Sequence, residues 1–313
     1  MTTINYMNSR IQTQRFTSNS TTENTINPII KILFRNKDFL VVDKPYDITT
    51  ILYFYGFEQK LSYTKLIESY DIRIDGDTSK APTVSSLLYA QNPTLPTPLR
   101  NVHQLDHATS GCYCLALSKK AAGIASVAFA KRKVEKTYSA IVRGWMKQDN
   151  YVVDQSIAQV PNNRYRMCIG TSENPGKPAK TQLEVIRRGY FYPTSSLSVP
   201  SESQIKVTLI NLYPITGRRH QLRLHCQYLG HPIVGDWHYE SQIMEYTDTF
   251  RMMLHALKLR IPLNIVQNTK MKHMKNMDTN IKDGDNLEDL HELDVVSEDP
   301  FPELVYECVK DET

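Results

Sequence analysis

The stretch from Tyr113 to Val142 most narrows the folds open to this chain. Tyr113–Leu117 has the composition of a strand, Ser118 can cap a helix reaching Lys131, and Thr137–Val142 reads as a second strand. Along that helix Ala121, Ile124, Ala125, Ala128 and Phe129 fall at i, i+3, i+4, i+7 and i+8, a narrow stripe of mostly small residues. A stripe this slim lets the helix axis approach a sheet closely, and the flanking strands supply one. Asn101–Gly144 therefore has the shape of a β-α-β unit.

Other segments extend the pattern. Lys31–Val42 reads as two short β runs around Asn36-Lys37, a hairpin that stops at Lys44-Pro45, where a sheet interior cannot continue. Thr181–Arg187 and Ile205–Tyr213 are strand candidates on either side of a polar loop with Pro193 and Pro200. After Thr216-Gly217 a helix is expected over Arg219–Leu229, closed by Gly230 and Pro232. Residues 1–28 are rich in Asn, Thr and Ser and are expected to form a disordered leader, residues 29–265 the ordered domain, and residues 266–313 a disordered acidic tail. Tyr46-Asp47-Ile48 recurs as Tyr70-Asp71-Ile72, so residues 49–69 read as an unusual insertion or an artefact of gene modelling.

Composition restricts the partners. Of 33 acidic and 37 basic residues, thirteen acids but only Lys282 and Lys310 lie in Asp278–Thr313, which leaves twenty acids against thirty-five bases before them. A body near +15 by this count favours a polyanion, RNA or DNA first, over an anionic lipid surface. No apolar run approaches the ~18–20 residues of a spanning helix, so no membrane partner is expected. Cys112, Cys114, Cys168, Cys226 and Cys308 are odd in number and scattered, which suits a reducing compartment rather than a disulfide framework. Cytoplasm or nucleus is the expected location; two arginines in an acid-poor leader give only weak support to the mitochondrion.

Two segments carry candidate chemistry. HQLDHATSG (His103–Gly111) sets Asp106 in a compact turn before a strand; such an Asp is usually a local cap, and acid–base or nucleophilic work would need a cation to hold it ionised. Leu212–Asp236 gathers Arg218, Arg219, His220, Arg223, His225 and His231 about a helix start, where backbone amides and guanidiniums make a phosphate seat. His220, Arg223 and Gln227 share one face of that helix, while Leu222, Cys226 and Leu229 pack inward. Lys133 and Lys136 belong to a basic cluster at the end of the first helix, a second place for phosphate contact. No HExxH or paired CxxC spacing accompanies the histidines, so no metal site is read. Cys112 and Cys114 are expected on opposite faces of their strand.

Taken in order, HQLDHATSG, VEKTYSAIVRG (Val134–Gly144), ITGRRHQLRLHCQYLGHPIVGD and MLHALKLRIP (Met253–Pro262) resemble the linked motifs of the RluA-type pseudouridine synthases. ILFRNKDFLVVDKP is similar to that family's first hairpin, and within the family the chain looks most like the animal RNA pseudouridylate synthase domain-containing proteins. The resemblance implies an α+β domain: a mixed, largely antiparallel sheet with flanking helices and a basic cleft. It further implies an isomerase that converts uridine to pseudouridine in RNA, without cofactor or obligatory protein partner; the RNA could be tRNA, rRNA or mRNA. By the same resemblance Asp106 is the catalytic aspartate, Arg223 its cationic partner, and Tyr138 the tyrosine that stacks on the flipped base. Gln104 stands where relatives commonly carry an arginine that fills the space of the flipped nucleotide. That departure and the interruption after Ile48 motivate the contrasting reading of a catalytically inactive RNA-binding member of the fold, while the Lys44-Pro45 run, which lacks the glycine usual in relatives, is a poor place to read function.

Overall fold

The computed structural model describes residues 28–48, 50, 83–163, 166–193, 204–243, 249–263 and 291–307. The leader expected over 1–28 lies outside the described residues save Pro28, and the insertion expected near 49–69 lies outside them save Thr50.

Strands β1 (Lys31–Arg35) and β2 (Phe39–Lys44) form the hairpin read from the sequence, and the Asn36 side-chain oxygen closes its turn by accepting from the amides of Asp38 and Phe39 at 2.9 and 2.7 Å. Helix α1 (Val84–Gln91), unanticipated, starts on a reciprocal pair of hydrogen bonds between Thr83 and Ser86. It is followed by β3 (Arg100–Asn101), β4 (Ser110–Ala116), α2 (Lys119–Ala130) and β5 (Glu135–Arg143). Ser118 caps α2 as expected, its hydroxyl accepting from the Ala121 amide at 3.1 Å. The chain continues through β6 (Asn150–Val153), β7 (Ile157–Gln159), β8 (Met167–Ile169), β9 (Thr181–Phe191), β10 (Ile205–Pro214), α3 (Gln221–Tyr228), β11 (Leu254–Pro262) and β12 (Glu292–Val296).

Among the described residues the main sheet runs β1-β2-β4-β11-β5-β10-β9-β6, with β4 and β11 its only parallel pair. The β-α-β reading of Asn101–Gly144 is thereby corrected: β11 enters between β4 and β5, which run opposite ways, because a distant strand takes the central place. Helix α2 lays Ala121, Ile124, Ala125 and Ala128 on one face of the sheet, and α1 covers the other with Val84, Leu87 and Leu88. Cys112 and Cys114 pack together beneath α2, not on opposite faces: residues two apart on a strand point the same way. The α+β expectation holds.

The disordered reading of the acidic end is corrected over residues 291–307. Its acids alternate with apolar residues, so Leu293 and Val295 enter the core while Glu292 and Asp294 face outward and pair with Arg260 and Lys258 of β11 at 2.6 and 3.0 Å. Phe301 is fully buried further along, and Tyr306 bridges to Tyr190 of β9. Counting charge alone hid the two-residue period.

One row of paired residues crosses five strands: Lys44, Gly111, Ala256, Tyr138 and Leu212. Paired neighbours share a face, so this row brings the loop before β4, the centre of β5 and the end of β10 to one place. Gly111 has φ of +105°, and an added Cβ would lie 2.3 Å from the Ala256 carbonyl oxygen. Gly111→Ala is expected to lower stability by more than about 3 kcal/mol, from left-handed strain plus a backbone clash; urea unfolding of the two proteins checks this.

Candidate active site

The loop that ends at β4 is tied down from three sides. His103 Nε2 accepts from the Cys114 amide at 2.9 Å, Thr50 donates to the Leu105 carbonyl at 3.4 Å, and Lys44 Nζ donates to the His107 carbonyl at 2.9 Å. Lys44 is fully buried and also donates to the carbonyls of Pro45 and Ile48, so its three N–H groups each have an acceptor. Burial draws its pKa down to about 7, against the opposing pull of Asp47 and Asp106. The Lys44-Pro45 run, read from the sequence as uninformative about function, is thus a support of the Asp106 loop. His103 is held neutral, its pKa lowered to about 3 by burial and the nearby Lys136.

Within this loop the Asp106 side chain keeps 26% of its surface exposed, and Arg223 Nη1 reaches its Oδ2 at 3.3 Å. Arg223 lies inside α3, whose other buried side chains include Leu222, Leu224 and Cys226. Burial opposes its charge, but the hydrogen bonds it donates to Asp236 and the fields of Asp236 and Asp106 more than offset that, raising its pKa. Tyr138 shares the sheet row beneath and is partly buried between two core clusters; burial and then the Asp106 carboxylate push its phenol up, so it is protonated at neutral pH. Asp106, Tyr138 and Arg223, far apart in sequence, are thus brought together, with Arg223 bonded to Asp106 and the Asp106 charge felt at Tyr138.

The other expected residues divide. Lys136 lies two residues before Tyr138 on β5, its Nζ near Gly217, with its pKa lowered to about 8 by burial. Arg219 and Gln104 are exposed, and Lys133 is exposed in the turn after α2. Arg218 donates from Nε to the Pro178 carbonyl at 3.0 Å, and its amide donates to Gln221 Oε1 at 2.9 Å. One amide of the expected phosphate seat is therefore already used by the helix's own first side chain. His220 precedes α3 in a left-handed conformation, φ 56°, with Nδ1 2.7 Å from the Tyr239 hydroxyl. Its pKa falls to about 4, burial being the main cause. His225 and His231 serve the fold, bonding Thr181 and Gln155, and the Arg143 carbonyl, respectively.

Two residues escaped the sequence reading. Asp236, at the end of the His-Pro-Ile-Val-Gly-Asp run, grips Arg223 with both oxygens, and the Tyr239 ring lies 4.9 Å from the guanidinium carbon. A lone buried Asp thirteen residues from Arg223 was the available signal.

Close by, His255 on β11 is buried with Nδ1 2.7 Å from the Ser110 hydroxyl, and its Nε2 is also buried without a partner. Burial and Arg251 lower its pKa to about 3. The unfolded chain takes up this proton below about pH 6.5 and the folded one does not, so stability falls with falling pH between those values, by about 1.4 kcal/mol per pH unit. His255→Asn is expected to flatten the decline by that amount; urea unfolding at pH 7 and pH 5 measures it.

Comparison with known proteins bears on what this group of residues does. The family described as RNA pseudouridylate synthase matches residues 38–228. The chain is 36% identical over 244 residues to RNA pseudouridylate synthase domain-containing protein 1 of Mus musculus, covering 74% of this chain and 68% of that protein. To the dual-specificity RNA pseudouridine synthase RluA of Vibrio parahaemolyticus it is 38% identical over 160 residues, 50% of this chain and 58% of the other. The solved structure of Human RNA Pseudouridylate Synthase Domain Containing 1 superposes with a TM-score of 0.55 at 33% identity, covering 75% of this chain and 79% of that one.

Proposed function

The chain belongs to the RNA pseudouridylate synthase family, and from that premise we propose that it isomerises uridine in RNA with Asp106 as the nucleophilic carboxylate. The observation that carries this reading is the meeting of Arg223 with Asp106 across 117 residues of sequence, at a partly open position above Tyr138.

The chemistry asks for such a group. In the isomerisation the carboxylate displaces N1 from C1′, the freed base turns, and C5 then displaces the carboxylate from C1′, which returns Asp106 unchanged. The proton on C5 leaves to solvent, and N1 takes one up, so no electrons are gained or lost overall. A carboxylate attacking the sugar must be ionised, oriented and shielded from water. Arg223 supplies the charge and the orientation. Tyr138, partly buried against the core and neutral, offers a ring on which an extruded base can stack. Lys136, Arg218 and Arg219 supply cations for the phosphates on either side, and Gln104, exposed on the same loop as Asp106, can hydrogen-bond the base left unpaired.

Full-length protein incubated with RNA transcripts carrying tritium at C5 of uridine is expected to release the label into water. RNA held on a filter with no label released would instead support the non-catalytic RNA-binding reading.

A further inference from the structure

We propose that the far end of the sheet carries a second RNA contact, a stacking surface for unpaired nucleotides that flank the target, formed by Trp145, Tyr190, Tyr192 and Tyr306 with Lys206. It takes from the reading above only that the substrate is RNA.

Strand pairing gathers these residues. Tyr190 of β9 pairs with Lys206 of β10 on one side and bridges to Tyr306 on the other, and paired residues share a face. Trp145, just past the end of β5, meets the Tyr190 ring, and Tyr192 meets that of Tyr306. In both pairs the ring centroids lie 5.4 Å apart, with interplanar angles of 73° and 70°, the edge-to-face arrangement. Lys206 Nζ lies 4.6 Å from the Trp145 ring centroid. Gly189 admits the C-terminal segment here, since an added Cβ would collide with the Tyr306 carbonyl oxygen.

These rings face outward although they are large and apolar. Trp145, Tyr192 and Tyr306 keep 38%, 46% and 53% of their surface exposed. Trp145 Nε1 donates to the Gly189 carbonyl at 2.9 Å, so its polar atom is satisfied within the protein and what it shows outside is ring carbon. The Tyr192 hydroxyl reaches Gln204 Oε1 at 3.3 Å. A contiguous patch of this kind marks a binding surface, and rings already held in place lower the ordering cost of binding.

Charge selects the occupant. Lys206 and Lys147 are exposed beside the rings, while Asp149, the acid in the loop between β5 and β6, is paired with Arg188 at 2.7 Å. Ring faces interleaved with cations fit single-stranded nucleic acid, whose bases stack on the rings while its phosphates meet the lysines. A duplex keeps its base faces hidden. Lys206 lies six residues before Leu212, the β10 partner of Tyr138, which is about 20 Å along the strand. The immediate neighbours of the target uridine are therefore out of reach, and the contact falls on a flanking segment.

The test uses full-length protein and fluorescence anisotropy with two probes, an unpaired oligouridylate and a blunt RNA duplex of equal length. Tyr192→Ala with Tyr306→Ala removes two rings and is expected to weaken oligouridylate binding about tenfold or more, with duplex affinity within about twofold. Tyr192→Phe with Tyr306→Phe keeps the rings and is expected to bind oligouridylate within about twofold of wild type, because stacking does not use the hydroxyls. Lys206→Glu leaves every ring in place and is expected to weaken the same probe about tenfold; it carries the test where the alanine pair does not fold. Unchanged oligouridylate affinity in the alanine pair or in Lys206→Glu overturns the inference, and so does an equal loss on both probes by the alanine pair. Sedimentation in which the alanine pair loses self-association yet keeps its oligouridylate affinity overturns it in favour of a second copy of this chain. Binding is read here without turnover, so a wild type that releases no tritium overturns the proposed function and leaves this inference standing.

Discussion

Asp106→Asn is expected to abolish release of tritium from uridine-labelled RNA, a loss of more than about 10³-fold, because the amide cannot form the bond to the sugar that the carboxylate forms. The same substitution should leave the fold nearly untouched. Asp106 is partly exposed and its ion pair with Arg223 is long, 3.3 Å, so its contribution to stability is expected below about 1 kcal/mol. RNA affinity should change by less than about threefold, since phosphate contacts dominate it and removing one negative charge does not weaken them. Filter binding and thermal unfolding on the same preparation check both points. A variant that lost affinity and folding along with turnover would show Asp106 to be a structural residue.

Arg223→Ala should behave quite differently, although the two side chains touch. Asp236 has no exposed surface and relies on Arg223 for two 2.7 Å hydrogen bonds. Truncating the arginine strands a buried carboxylate, for which about 3–5 kcal/mol of destabilisation is expected. Turnover should also vanish, because nothing then orients Asp106. The cause can be isolated. Replacing the pair together, Arg223→Met with Asp236→Leu, removes both buried charges and should recover most of the stability and none of the activity. Urea midpoints of the single and double variants decide this; equal loss in both would place the cost in packing and not in the stranded charge.

These contrasts reflect how differently the parts of the molecule could be read. The hairpin around Asn36, the Ser118 cap, the small-residue stripe of α2 and the strands β9 and β10 were legible because each is written in local periodicity or a local cap. Asp106, Tyr138 and Arg223 were legible only through resemblance, since nothing in their spacing says that β5 and α3 meet the loop before β4. What stayed hidden was long-range. Lys44 reads as an ordinary lysine before a proline until the fold places the carbonyl of His107 over it. β11 enters the sheet between strands far away in sequence, so the β-α-β pattern was misread, and the charge of the acidic tail masked the two-residue period of β12. Asp236 received no role from the sequence because a carboxylate's partner is set by tertiary structure alone.

The central claim, that this carboxylate makes pseudouridine in RNA, is tested most directly by mapping pseudouridine through chemical adduct sequencing in total RNA. The cells compared carry either wild-type protein or Asp106→Asn at matched expression. The account predicts a discrete set of uridines modified with the wild type and unmodified with the variant, which names the RNA class at the same time. Identical maps from the two, with RNA binding confirmed for both, would contradict it.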